Sequence, residues 1–329
     1  QAYTHRFGTT KPRDKREAGV ESPWAWLSRG LEEALLRFIA RADGPEWELL
    51  AACYEFTYHP VLAALAAARG RGADVRCVYD SKPSTWQAER KEWLEHGPSV
   101  LNDAAVRAAG IEGICVRRGS GLSSISHNKF FCLRRRGEPV AVWTGSTNIT
   151  TSGIFGHLNV GHVCAEPEIV ARYADYWTKL AEDPKVRDLA LVNEAISPLP
   201  PLRSSSSAVV FSPRTSDAAL QLYADMIRNA RDSVYLTAPF GLSTIIAEGL
   251  LRVPRGTLEG KRGALSELNL PVHRVPTYLL LDNPGQRQSP HYVRAVRALP
   301  NASVACGCHL SSADLFSGHE VEGLTGLNK

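Results

Sequence analysis

Residues 47 to 80 read WELLAACYEFTYHPVLAALAAARGRGADVRCVYD, and they leave the chain few ways to fold. The run at 47–56 has the apolar content of a buried strand. The Ala/Leu-rich stretch at 60–72 is helical and stops on glycines, and 74–80 alternates as a second strand before closing on Asp80. Strand, helix and strand joined this tightly require two parallel strands in one sheet and a right-handed crossover. The predicted class is therefore α/β.

The order recurs. Residues 217–230 are helical in pattern, 232–240 strand-like, 242–253 helical, and 277–282 form a strand ending on Asp282. The helical pattern at 31–42 stands before the first copy as 217–230 stands before the second. The expected fold is a duplicated one: two mixed β-sheet halves flanked by helices, the second incomplete. Residues 1–44 read as an N-terminal arm and helix, the end of a preceding domain. Residues 45–195 form the first repeat, 196–208 a Pro/Ser linker, and 209–329 a truncated second repeat, with 254–276 as a surface loop.

At 329 residues, 44% hydrophobic and 22% charged, the chain can fill two cores. A net charge of +4 does not by itself argue for nucleic acid. No apolar run approaches the roughly 20 residues of a membrane-spanning helix, which leaves contact with a membrane surface open but not crossing. The seven cysteines are odd in number and mostly lie in apolar segments, which suggests free thiols in a reducing, cytoplasmic compartment. Cys306-Gly-Cys308-His309 lacks a second ligand cluster at zinc-like spacing, so no metal is expected. The chain opens on Gln1 and its one methionine is Met226, as expected of a piece of a longer protein.

The chemistry concentrates at 126–148, SHNKFFCLRRRGEPVAVWTGSTN. Residues 129–133 and 141–144 read as strands joined by the basic turn 134–139. Side chains two apart on a strand share a face, so His127 and Lys129 point together if the strand includes His127. An antiparallel hairpin then returns the Gly-Ser-Thr-Asn loop, with Ser146 and Asn148, beside them. An ammonium and an amide suit phosphoryl oxygens, and a neutral imidazole can attack phosphorus. A second group must protonate the leaving oxygen. His157 and Asn159 follow soon after and are candidates to line the pocket. Asp80 and Asp282 are candidates for its rim. His162 reads as a strand histidine. The Arg134–Arg136 run reads as a solvated turn, and Trp24, Trp26, Tyr54, Phe56 and Trp177 as packing residues.

His127-Asn128-Lys129 followed by Gly145-Ser146-Thr147-Asn148 resembles the phospholipase D superfamily, and the stretch from 127 to 163 is similar to its bacterial phosphodiesterase branch. The resemblance runs from about residue 45 to 329. It implies a metal-independent phosphodiesterase working through a phosphohistidine, with no cofactor. The substrate would be a phospholipid, a nucleic-acid backbone or a small diester. In that reading His127 is the nucleophile or the acid/base partner, Lys129 and Asn148 hold phosphoryl oxygens, and Ser146 assists. The motif's Asp is replaced by Arg134, which bears on the tuning of Lys129. A second His-x-Lys is absent, since neither His309 nor His319 fits it. The offset from Asp80 to His127, applied to Asp282, reaches Lys329, the last residue. The second catalytic half is thus expected beyond Lys329 or from another chain. The competing classes are a non-catalytic binding or scaffold relative, and a nuclease of the same superfamily.

Overall fold

The computed structural model describes residues 2–7, 22–82, 85–87, 92–94, 98–119, 126–202, 206–238, 241–260, 274–281 and 290–306. Asp282, Cys308, His309, His319 and most of the 254–276 loop lie outside them. The described residues fall into two compact units. The first comprises those within Pro12–Pro198 and Ser205–Thr215; the second those within Gln1–Lys11, Leu199–Ser204 and Ser216–Lys329. Helix α1 (Ala2–Phe7) counts with the second unit.

The first unit begins with helices α2 (Pro23–Ser28) and α3 (Leu31–Ala40). Strand β1 (Trp47–Cys53), helix α4 (His59–Gly70) and strand β2 (Asp74–Asp80) follow, as the sequence requires. A small hairpin, β3 (Thr85–Gln87) and β4 (Glu92–Leu94), leads to helix α5 (Pro98–Ala108) and strand β5 (Cys115–Arg118). Then come β6 (Lys129–Arg135), β7 (Glu138–Gly145) and β8 (Gly161–Cys164), and helices α6 (Pro167–Ala181) and α7 (Val186–Ile196). The main sheet has the order β5-β2-β1-β6-β7-β8. β1, β2 and β5 are parallel, while β1, β6, β7 and β8 pair antiparallel.

Alternation along β1 explains the layering. Leu49, Ala51 and Cys53 enter one core with Leu35, Phe38 and Ile39 of α3 and Val61, Leu62 and Leu65 of α4. Leu50 and Ala52 enter another with Val170, Trp177 and Leu180 of α6, Leu189 of α7, and Phe211. Apolar residues on both faces are what a central strand covered on both sides demands. Helix α3, set apart from the repeat when the sequence was divided at residue 45, shares its core. Trp177 anchors the second layer by donating its indole N–H to Ala51 O at 2.7 Å.

The second unit has helix α8 (Ala218–Asn229), strand β9 (Val234–Thr237), helix α9 (Thr244–Leu250), strand β10 (Thr277–Leu281), helix α10 (Pro290–Arg297) and strand β11 (Ala302–Cys306). Its parallel sheet has the order β11-β10-β9. That is the arrangement of β5-β2-β1, with helices in the same places. The duplication therefore holds for the parallel half. Among the described residues, β6, β7 and β8 have no counterpart.

Cys53, Cys77, Cys115, Cys132 and Cys164 are free thiols. Among the described residues no helix is long and apolar enough to cross a membrane, and no group of three or more His, Cys, Asp or Glu is placed to hold a metal ion.

Candidate active site

The site forms where β1, β2 and β5 end, at the carboxyl edge of the parallel half, where open α/β sheets gather ligands. β6 enters antiparallel to β1, so Lys129 pairs with Cys53, the last residue of β1. His127 stands two residues earlier. Asp80 closes β2, and its Oδ1 accepts from Ser126 N at 3.1 Å, which fixes the chain one residue before His127. Burial pushes the Asp80 carboxyl up, partly offset by that hydrogen bond.

Lys129 is 8% exposed. Its Nζ donates to His127 O at 3.2 Å and lies 5.4 Å from the centre of the Tyr54 ring, a cation–π distance. Burial pushes the ammonium down to about 8, against the nearby Cys53 and Glu55, which favour its charge. The His127 ring tilts against Tyr54 at 4.7 Å and keeps one side open to solvent. Burial first, and the Lys129 charge second, lower its pKa, so the imidazole is neutral near pH 7.

Asn148 arrives on the loop after β7. Gly145 begins this loop because β8 passes too close for any side chain: a Cβ there would collide with Val160 O. Gly153, in the π-helical turn Ser152–Gly156, is needed for the same reason against Asn148 O. The loop is laced to the segment after β1: Ile149 N donates to Glu55 O at 3.0 Å, and Thr57 N and Tyr58 N both donate to Ile149 O at 2.9 Å. Asn148 Nδ2 donates to the Glu55 carboxylate. An amide nitrogen carries two hydrogens, so the second is left to donate elsewhere.

The predicted residues divide into groups. His127 and Lys129 meet over Tyr54, and Asn148 joins them through Glu55. Ser146 and Asn159 instead hold each other. Ser146 Oγ donates to Asn159 Oδ1 and accepts from Val160 N, both at 3.1 Å, while Asn159 Nδ2 donates to Gly153 O at 2.8 Å. They shape the loop that presents Asn148. His157 and His162 are exposed.

Tyr54 packs as expected, and what it packs against is the candidate pair: its ring lies against both His127 and Lys129. Arg134 lies five residues along β6 from Lys129, about 16 Å at strand rise, too far to tune it. The Arg134–Arg136 turn is not simply solvated, since Arg134 pairs with Glu48 at 3.0 Å and Arg135 with Glu46 at 3.1 Å. Lys129 is tuned by burial and, against it, by Cys53 and Glu55; sequence reasoning missed Glu55. A carboxylate just past the end of a buried parallel strand was the signal available.

Residues 35–181 match the family model described as the cardiolipin synthase, PLD-like domain. A comparison with curated proteins finds no significant match. Among solved structures, the chain is similar to Nuc from Salmonella typhimurium, a phospholipase D family member, at 23% identity over 45% of this chain and 84% of that one, with a TM-score of 0.32. NucT from Helicobacter pylori matches at 15% identity over 48% and 91%, with a TM-score of 0.35. Polyphosphate kinase from Porphyromonas gingivalis matches at 15% over 86% and 39%, with a TM-score of 0.42. The family model spans the hairpin and loop that carry His127, Lys129 and Asn148. Residues 35–181 thus match a phospholipase D-like domain.

Proposed function

We propose that the first unit carries one half of a phosphodiesterase site, with His127 as the nucleophile. The observation that carries this reading is the neutral imidazole of His127 beside the buried ammonium of Lys129, at the carboxyl edge of the sheet. A general acid needs a raised pKa, whereas a nucleophile needs a lone pair at working pH. The lowered pKa of His127 suits the second role.

The steps balance without a cofactor. An imidazole nitrogen attacks phosphorus, the P–N bond forms and the bond to the leaving oxygen breaks. Lys129 and the free Asn148 amide hydrogen stabilise the charge that develops on the phosphoryl oxygens. A second imidazole, from outside the described residues or from another chain, protonates the leaving oxygen. Water or an alcohol then attacks phosphorus and releases His127, giving hydrolysis or transfer. The substrate is a phospholipid, a nucleic-acid backbone or a small diester.

The test is hydrolysis of bis(4-nitrophenyl) phosphate in excess EDTA. Its leaving group departs without a general acid, so half a site can release it. Turnover that survives EDTA and falls at least about a thousandfold in His127→Ala is expected. Activity that vanishes with EDTA would overturn the metal-free mechanism. A folded chain with no turnover at all would favour the non-catalytic binding relative.

A further inference from the structure

Next to this site, within the first unit, lies a cavity of about 470 Å³, in the size range of small-molecule sites. Both His127 and Lys129 contribute to its lining, so a diester with its phosphorus at His127 has room there for one of its arms. The rest comes from the opposite face of the hairpin, where Asn128 and Thr144 meet α6, α7 and the segment around Phe211.

Most of its polar groups satisfy one another. Asn128 Nδ2 donates to Tyr176 Oη at 3.0 Å, Tyr176 Oη to Ser212 O at 3.2 Å, and Tyr173 Oη to Thr144 Oγ1 at 3.3 Å. The Tyr176 and Phe211 rings stack at 4.2 Å and stiffen that wall. Arg118 is different. It ends β5 with 6% of its surface exposed, and it also lines the cavity. Its Nε lies 3.3 Å from Asp183 Oδ1, yet it is buried with no hydrogen-bond partner. A buried donor without an acceptor is costly. The cavity is therefore walled by a fixed cation, ion-paired to Asp183 on its Nε edge, whose fork of donors a second anionic oxygen can share.

We propose that this cavity is the subsite for one arm of the diester, and that it selects an arm bearing a second anionic group, which Arg118 holds. The proposal rests on the phosphodiesterase reading of His127. A phosphomonoester is the simplest such group, and it occurs both on glycerol-based lipid headgroups and on nucleotides.

Isothermal titration of the full chain with glycerol 3-phosphate and, separately, adenosine 5′-monophosphate tests this. Being an equilibrium measurement, it does not depend on whether a diester is cleaved. The expected result is binding of at least one probe, weakened about tenfold or more in Arg118→Gln and retained in His127→Ala. Val186 begins α7, lines the cavity and is 40% exposed, so Val186→Trp fills the cavity without disturbing the core. It should abolish binding, and it decides the matter if Arg118→Gln does not fold. Tighter glycerol 3-phosphate assigns the lipid-type arm, and tighter nucleotide the other. No binding of either probe, or affinity unchanged in both cavity variants, would overturn the subsite. So would binding lost only in His127→Ala, which places the anion at the nucleophile and leaves the phosphodiesterase reading standing.

Discussion

The two units share a parallel half and differ in what that half is used for. In the first, β5-β2-β1 continues into β6-β7-β8, and the antiparallel half delivers His127, Lys129 and Asn148 to the ends of the parallel strands. In the second, β11-β10-β9 stands, among the described residues, without that continuation. The second layer differs too. Counting back two positions from Asp80 and from Asp282 gives Val78, 2% exposed beneath α6, and Leu280, 40% exposed. Tyr235 and Tyr278, stacked at 4.8 Å on that same face, are 76% and 43% exposed. The parallel half is thus the shared scaffold. Among the described residues, what the first unit adds is an antiparallel extension that carries the candidate site residues and a helical layer over the other face of the sheet.

If that account is right, the largest effect on stability falls on that helical layer. Trp177→Ala removes a 3% exposed indole and its bond to Ala51 O, and should destabilise the first unit by about 3–5 kcal/mol. Hydrogen exchange read separately over β1 and β10 checks it, and equal loss of protection in both would mean the units do not differ as described.

Lys129→Met comes next and has the opposite sign. Folding lowers the ammonium's pKa from 10.5 to about 8. The charged form is therefore penalised in the folded state at every pH below about 8, and that penalty is relieved as pH rises from 8 to 10.5. Replacing Lys129 should raise stability at pH 7 by about 2 kcal/mol while removing activity. A melt that shows no gain would place the Lys129 charge in a better-solvated position than its burial indicates.

Glu55→Gln tests the positioning role assigned to that carboxylate. The pH–rate profile should rise as His127 loses its proton below its ordinary 6.5 and fall above about 8 as Lys129 does. Because Glu55 favours the Lys129 charge, Glu55→Gln should move the falling limb to lower pH and cut the rate about tenfold. A loss of rate with no movement of that limb would reduce Glu55 to a support for Asn148. The smallest effect belongs to the second unit: Leu280→Ser should change stability by about 0.5 kcal/mol or less, as on any exposed surface. A large cost there would mean that this face is covered.

How much of this was legible beforehand depends on whether the cause was local. β1, α4, β2, β6 and β7 follow from periodicities of two and 3.6, and those elements were readable. The nearness of His127 to Lys129 was also read, but β6 begins at Lys129 and leaves His127 just before the strand, so alternation is not its cause. β5 and β11 were not read, because short strands such as Cys115–Arg118 become strands through the neighbours they pair with. Tyr54 and Glu55 escaped for a related reason. Their roles come from β6 arriving antiparallel at the end of β1, and that pairing joins residues far apart in the chain. Arg134 shows the converse. Its place in a familiar spacing drew attention to Lys129, but strand rise carries it away, to Glu48 on the neighbouring strand.

The central claim is that the His127 imidazole bonds to phosphorus, and intact-protein mass measurement tests it most directly. The chain is mixed with bis(4-nitrophenyl) phosphate, quenched in base, where a phosphorus–nitrogen adduct persists, and weighed beside His127→Ala. The account predicts a 4-nitrophenyl phosphoryl adduct that maps to His127 and is missing from the variant. An adduct that persists in His127→Ala, or steady turnover with no adduct at His127, would contradict it.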